Sequence, residues 1–525
     1  MSASAGIVRP KSTLYSRRSN MRGIYTSVND IRKQVYAEVA KLAYDYKDVK
    51  DLQAMESIPY KIIPGEVSIY RDSVFLERAI VRESMRLAMG LSFRSADQQA
   101  PVTEGAEKCA IDATYYEPPL INVIKFACHA CPDNVMHVTD ACQGCLAHPC
   151  QEVCPVGAIT IKNGRSHIDQ NKCVKCGKCS SVCPYSAIMK MQRPCVKACG
   201  MNAIKSDDYG RAEIDHDKCV SCGMCLANCP FGAIADKAQI FQVIQAIKSD
   251  VPVYAAIAPA VSGQFGADFT PEKMRPAFQA LGFEDVVEVA IGADLCTLEE
   301  AKDFVENVPE KLPFMATSCC PAWSMMAKKL YPTISNCISM ALTPMVLTGR
   351  LMKKMHPGCK VAFIGPCAAK KLEAMRTSIR TDIDFVLTFE EVMGMFQAKD
   401  VNFKELPNDD TMHGASGDGR GFAVSGGVAS AVVNCIKEVY PDKEIKVEKA
   451  EGLADCRKLL AMAKAGKYDG YLLEGMACPG GCVAGAGTIQ PIAKSAASVA
   501  KHKAVSTNAH AQQSDYKDIL ELLEK

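Results

Sequence analysis

Residues 72–93, DSVFLERAIVRESMRLAMGLSF, carry apolar side chains at helical spacing and predict an amphipathic packing helix. From residue 240 onward the pattern changes. Short apolar runs alternate with polar-faced segments: VPVYAAIAPAV (251–261), VVEVAIGADL (286–295), KVAFIGPC (360–367), FAVSGG (422–427) and YDGYLLEGMAC (468–478). These read as buried strands. TPEKMRPAFQAL (270–281) and TLEEAKDFVENV (297–308) between them read as helices, and the alternation predicts an α/β domain. The last residues, SDYKDILELLEK (514–525), predict a short helix behind a flexible stretch.

A chain of 525 residues outgrows one core and predicts roughly two to four domains, and with 48% apolar residues each can bury an interior. The 61 basic and 59 acidic residues leave a formal net charge of +2. That balance argues against nucleic acid or an anionic membrane as the main partner. No stretch approaches the ~20 apolar residues of a bilayer span. Residues 1–23 lack an apolar core, and polar residues follow the arginines of SRRSN. They read as a flexible basic tail rather than an export signal, so a cytoplasmic location is expected.

Cysteine changes the picture. There are 27, most at CxxC-type spacings, which in a chain read as cytoplasmic point to metal ligands rather than disulfides. A hexapeptide recurs four times: CPVGAI at 154, CPYSAI at 183, CGMNAI at 199 and CPFGAI at 229. Cys173, Cys176, Cys179 and Cys183 have the spacing of a bacterial-type ferredoxin run, as do Cys219, Cys222, Cys225 and Cys229. Cys142, Cys145, Cys150 and Cys154 form a third run with a longer middle gap. RPCVKACGMNAI (193–204) holds only a back half, Cys195 and Cys199, and CHAC offers a spare front half, Cys128 and Cys131. Joined, they make one motif, so a complete two-cluster module (about 140–190) is predicted inside a second one.

In such runs the fourth cysteine ligates the other cluster of its pair. The inner sites are then Cys142, Cys145, Cys150 with Cys183, and Cys173, Cys176, Cys179 with Cys154. The outer sites are Cys219, Cys222, Cys225 with Cys199, and Cys128, Cys131, Cys195 with Cys229. His129 or His148 could replace a thiolate, although a histidine beside CxxC is more often a neighbour than a ligand. Cys109 is left over as a plain buried thiol. Zinc competes for CxxC pairs, but C-x2-C-x2-C runs followed by C-P are poor zinc spacings. Four [4Fe-4S] clusters in series form a wire for single electrons.

Three further motifs end strand-like runs: TSCCPAW (317–323), IGPCAAKKLE (364–373) and EGMACPGGCVAGAG (474–487). Strand ends are where α/β sheets place ligands. They bring five cysteines, one more than a cubane takes. In this order, behind such a wire, they closely resemble the signature motifs of [FeFe]-hydrogenases, over about residues 120–490. The resemblance implies an H-cluster, a [4Fe-4S] cubane joined by a thiolate to a two-iron unit bearing CO, cyanide and an azadithiolate. By motif position Cys320, Cys367, Cys478 and Cys482 would hold the cubane. Cys482 would bridge to the two-iron unit, and Met476 would pack near it. Cys319 would relay protons, continued by Glu300 and Asp303 of GADLCTLEEAKDF (292–304) and by Ser339 of CISMALTP (337–344). Asp303 stands where the family usually has Glu, so a water would fill the gap. Lys370 matches the lysine that binds a cyanide, the anion its buried ammonium would need.

The expected architecture is therefore α+β and α/β multidomain. It has a mostly helical region (1–118), two nested ferredoxin-like 2[4Fe-4S] modules (119–235), a two-lobed α/β hydrogenase domain (236–500) and a tail (501–525). The implied activity is reversible H2 oxidation and proton reduction in an anaerobic setting. Electrons would pass to or from ferredoxin or a similar one-electron carrier, and dedicated maturation enzymes would supply the H-cluster. The alternatives are a non-catalytic iron–sulfur assembly scaffold, an H2 sensor, or one subunit of a bifurcating complex. Ala322, Gly365 and Ala486 depart from the family's common motif residues and mark a divergent subgroup, with every ligand intact. Cys296, Cys337, Cys359, Cys435 and Cys456 fit no motif and read as core, as do most of the 24 methionines. SGDGRGFAVSGG (416–427) lacks a phosphate-loop ending and reads as a close-approach loop near the cofactor.

Overall fold

The computed structural model describes residues 26–94, 99–111, 116–409 and 414–523. The basic segment 1–23 lies outside them. The amphipathic helix of the sequence is Val74–Ala88, started by the Ser73 hydroxyl accepting from the Phe75 N–H. The helix Ser27–Asp45 packs along Phe389–Ala398. A Cβ on Gly394 would lie 2.5 Å from that of Tyr36, so glycine is what lets the two backbones approach. Val35, Val39, Val81 and Met85 consequently share one apolar core with Phe241, Ala255, Ile364 and Phe389. Among the described residues no helix is long and apolar enough to cross a membrane.

The cysteine-rich region is built from short antiparallel pairs whose partners enclose one another. The eight strands are β1 (Ile121–Val123), β2 (Val135–Val138), β3 (Ile159–Lys162), β4 (Arg165–Ile168), β5 (Ile188–Met191), β6 (Ile204–Ser206), β7 (Ala212–Ile214) and β8 (Ile234–Asp236). β1 pairs with β8, β2 with β5, β3 with β4 and β6 with β7. The β2–β5 pair, with Val135 opposite Met191, therefore closes around β3–β4. The β1–β8 pair, with Ile121 opposite Asp236, closes around all the rest.

The repeat extends into the backbone. The residue before the second cysteine is left-handed in all four front halves: Ala130, Gly144, Lys175 and Ser221. Three residues after each closing cysteine, Gly157, Ser186, Asn202 and Gly232 are left-handed too. For non-glycine residues that conformation costs about 1–2 kcal/mol. It turns amide hydrogens toward sulfur: the N–H groups of Lys175, Ser221, Ala158, Ala187 and Ala203 donate to Cys173, Cys219, Cys154, Cys183 and Cys199. The two orphan halves thus carry the same turns as the complete runs.

The remaining chain forms two parallel sheets. β9 (Val253–Ile257), β10 (Asp285–Glu288), β12 (Lys360–Gly365) and β13 (Phe385–Thr388) align in the order β10-β9-β12-β13. β11 (Met315–Ala316), β14 (Lys446–Glu451) and β15 (Tyr471–Met476) align as β11-β15-β14. Three expectations change. VVEVAIGADL is strand only to Glu288, and Val289 opens a single helix, Val289–Asn307, that absorbs the rest. FAVSGG is no strand, since it joins the helices Gly417–Gly421 and Gly427–Val439. The stretch before the terminal helix is pinned rather than free. The helix Ile492–Ala504 runs across residue 500, the Gly417 and Asp418 N–H groups donate to the Asn508 and Ala509 carbonyls, and Asp418 takes Lys503 and His510 at 3.0 and 2.7 Å.

Candidate metal centre

The three C-terminal motifs meet in one cavity of about 830 Å³, lined by Cys319, Cys320, Cys367, Cys478 and Cys482 together with Lys370 and Met476. Each cysteine arrives from a parallel strand or the loop just beyond it: Cys319 and Cys320 after β11, Cys367 after β12, Cys478 and Cys482 after β15. The other walls are mainly apolar, among them Val289, Pro344, Phe363 and Phe422. Burial pushes all five thiols up, Cys367 to about 11 and Cys482 to about 12. Neutral thiols are stable there, whereas four thiolates need a cationic core between them. The donor set therefore fits an iron–sulfur group, and the extra volume fits something larger.

The molecule supplies its own standard of size. One pocket lined by Cys128, Cys131, Cys195 and Cys229 spans about 330 Å³, open space at its mouth included, and another lined by Cys154, Cys173, Cys176 and Cys179 about 310 Å³ on the same measure. Each gathers four thiols that the crossed pairing groups together. Cys219, Cys222 and Cys225 likewise stand within electrostatic reach of Cys199. Cys222 also lines the large cavity, so this third site abuts it directly. Cys150 and Cys179 belong to one apolar cluster, against which Cys154 and Cys173 pack. His129 borders the first pocket with its ring stacked on Phe231 at 4.5 Å.

Behind Cys319 lies Glu300, fully buried on the helix Val289–Asn307. Its Oε1 accepts from the Ser318 N–H at 2.9 Å and the Ser318 hydroxyl at 3.3 Å, while Oε2 is buried without a well-aligned partner. Burial raises this carboxyl to about 7 against the opposing pull of Ser318 and Ser339. Burial also raises Cys319, and the Glu300 charge adds to it. Ser339 is buried, and its hydroxyl accepts from the Ala341 N–H. Asp303, one turn along the helix from Glu300, is half-buried, and its carbonyl accepts from Asn307.

Lys370 reaches the cavity from the helix Ala368–Ala374. Its ammonium donates to Glu373 at 2.6 Å and to Thr343 at 3.1 Å. Burial would lower it, but Glu373 outweighs that and holds it above its ordinary value. The sequence reading named neither partner, although Glu373 stands at i+3, the spacing that pairs charges on a helix. Two of three donors are taken, which leaves one for the cavity. Lys371, the next residue, is fully buried between Asp236 at 2.7 Å and Glu391 at 2.5 Å.

Ser318 was also missed, and only its place beside the thiol pair hinted at it. The glycine-rich segment does not approach the cavity through its glycines. A Cβ on Gly419 would meet the Ala290 carbonyl at 2.4 Å, and only Phe422 and Ala423 line the site. Cys109, Cys296, Cys337, Cys359, Cys435 and Cys456 are buried, as expected of core thiols.

Residues 251–486 match the C-terminal domain of the iron only hydrogenase large subunit, residues 166–189 a 4Fe-4S binding domain, and residues 189–240 the LdpA Fe-S cluster-binding domain. The chain is similar to iron hydrogenase 1 of Clostridium pasteurianum, 29% identical over 371 residues, 61% of this chain and 64% of that protein. It is similar to cytosolic iron-sulfur assembly component 3 of Rattus norvegicus, 25% identical over 316 residues, 48% of this chain and 66% of that protein. The aligned part spans less than two thirds of the length of either. The periplasmic [Fe] hydrogenase large subunit of Nitratidesulfovibrio vulgaris is 32% identical over 374 residues, 62% of this chain and 86% of that subunit. Likeness sustained over so much of that subunit, with a domain match across the thiol-lined cavity, means that the chain belongs to the iron-only hydrogenase family.

Proposed function

We propose that the chain is an [FeFe]-hydrogenase, interconverting H2 with protons and electrons at an H-cluster and exchanging those electrons with ferredoxin or a similar carrier. One observation carries this reading. A cavity with five thiols and about 830 Å³ stands beside four-thiol pockets of about 330 and 310 Å³. Cys320, Cys367, Cys478 and Cys482 would hold the cubane, and the surplus volume would take the two-iron unit beyond Cys482, against Met476. When bound, the group would supply heterolytic cleavage of H2 and accept the electrons.

The protein's own residues do the rest. Apolar walls exclude water and strengthen every polar contact inside. The third N–H of Lys370 is available to an anionic ligand. Cys319 Sγ, kept neutral by burial, can hold one proton and pass it on. Glu300, whose charge Cys319 feels, would take the proton next, and Ser339 and Asp303 would continue outward. The enclosing strand pairs and repeated turns support two nested ferredoxin-like modules over 119–235, with four [4Fe-4S] clusters on the crossed ligand sets. The helical region 1–118, the catalytic domain 236–500 and the tail complete the reading, with a cytoplasmic location and dependence on maturation enzymes.

A second reading has one observation in its favour, the similarity to an iron–sulfur assembly component. A scaffold needs neither a proton-relay thiol nor a wire, which is why the enzyme is preferred. Infrared spectra of the matured protein separate the two. Bands of iron-bound CO and cyanide, with H2 evolution from reduced viologen, are expected. A matured protein with four intact cubanes but neither bands nor turnover would favour the scaffold.

A further inference from the structure

Arg193 stands at the seam of the cysteine-rich region, two residues after β5 ends and two before Cys195. At the corresponding position of the other three runs the backbone is left-handed, at His148, Gly177 and Gly223. Only here is a long cationic side chain placed instead, at φ −57°. The side chain is 3% exposed and forms part of the wall of the Cys128, Cys131, Cys195 and Cys229 pocket. Nε donates to the Cys131 carbonyl at 3.2 Å, and Nη2 to the Ser206 hydroxyl at 3.1 Å and the Gly210 carbonyl at 2.8 Å. These acceptors of the guanidinium are neutral, and a carboxylate, Asp133 Oδ1, accepts from the Arg193 backbone N–H at 3.5 Å. Nη1 is buried with no hydrogen-bond partner among the described residues. A buried guanidinium donor left unmade at the rim of a four-thiol pocket points to an acceptor inside that pocket.

We propose that Arg193 would set the potential of a cubane held by Cys128, Cys131, Cys195 and Cys229, with Nη1–H as the donor left over for it. The cluster gains one unit of negative charge when it takes one electron. A fixed cation and donor beside it favour the reduced form. This cubane then acts as an electron reservoir between the inner pair and the cavity. The inference rests on the proposed ligand set, which iron and sulfide counting tests separately.

The test is a redox titration of the full-length, cluster-loaded protein, followed by integrated EPR spin intensity. In Arg193→Gln, one cluster's share of the spins should move to more negative potential, with the other three unmoved. A tenfold loss in its reduced-to-oxidised ratio at fixed potential corresponds to about 59 mV for one electron. Arg193→Lys, which keeps the charge, should move less than half as far. A Gln profile coincident with wild type, a Lys variant shifted as far as Gln, or loss of four irons on substitution would each overturn the assignment. Fewer than four cubanes in the unsubstituted protein would instead sink the ligand set on which it stands.

Discussion

The two thiol-bearing regions solve different problems with the same residue. In the cysteine-rich region, four-thiol pockets are small and lie in loops held by two-stranded pairs. Cys176, in one of them, is exposed to solvent. In the C-terminal domain the thiols sit at the ends of strands in two parallel sheets, around a space more than twice as large with a mainly apolar lining. An electron carrier needs its cluster near the surface and tolerates local backbone freedom. A site that handles protons needs its thiols on elements that do not move, because a relay works only at hydrogen-bond distance.

The sharpest way to break this contrast is to remove the fifth thiol. Cys319→Ala should lower H2 turnover by roughly 10²–10⁴-fold, the worth of a positioned proton donor, while the CO and cyanide bands persist. Normal turnover would show that the surplus thiol has no chemical role. Glu300→Gln should cost less, about 10²-fold, with Glu300→Asp between Gln and wild type. The same substitution has a readout apart from activity. Burial raises the folded carboxyl to about 7 from an ordinary 4.5, so the fold binds its proton more tightly than the unfolded chain does. That contribution to stability is full below about pH 4.5 and lost as pH rises to 7, at up to about 1.4 kcal/mol per unit. Glu300→Gln should flatten this slope in denaturation followed between pH 5 and 7, and an unchanged slope would mean that the carboxyl is not buried.

The junction between the regions tests whether they act as one circuit. Gly223 follows Cys222 at φ +76°, and a Cβ there would lie 2.5 Å from that of Ala486. Ala486 itself departs from the family's usual glycine, and it fits because its neighbour lacks a side chain. Gly223→Ala should cost about 1–3 kcal/mol through overpacking. It should also slow electron delivery more than it disturbs the cavity, giving a depressed rate with unshifted CO bands. A variant equal to wild type in both would mean that the loop is loose.

How much of this was legible without coordinates follows the kind of constraint involved. Cluster ligation would impose spacing along the chain, so the halves at Cys128 and Cys195 could be paired by arithmetic, and the structure brings their thiols to one pocket. The three cavity motifs were legible because strand ends carry them. What stayed hidden joins distant segments or hinges on periodicity in short runs. Ser318 reaching Glu300 and Thr343 reaching Lys370 depend on how a helix docks, which no local pattern encodes. VVEVAIGADL has only Glu288 and Asp294 to break its apolar run, too few to fix a period, so strand and helix could not be told apart. β14, KVEKAE, is charged because it lies at a sheet edge, and its charges masked it.

The smallest expected effect concerns the wire's outer end. Between residues 139 and 191 there are six basic side chains (Lys162, Arg165, Lys172, Lys175, Lys178, Lys190) against three acidic ones (Asp140, Glu152, Asp169). Lys172 and Lys178 are exposed on either side of Cys176, and Val174 is 59% exposed beside them. An apolar spot ringed by cations over an exposed cluster suits an acidic one-electron carrier, with the charges steering encounter and the apolar contact shortening the transfer distance. Reversing Lys172, Lys175 and Lys178 to Glu should lower the second-order rate with an acidic ferredoxin about tenfold at low salt. The difference should shrink as ionic strength rises and the Debye length falls to about 8 Å near 0.15 M. Turnover with a small neutral mediator should not change, because the cavity is untouched. Were the triple variant equally fast with ferredoxin at every salt concentration, electrons would be entering through another face, and the exposure of Cys176 would reflect only the thin cover that a small two-stranded module can provide.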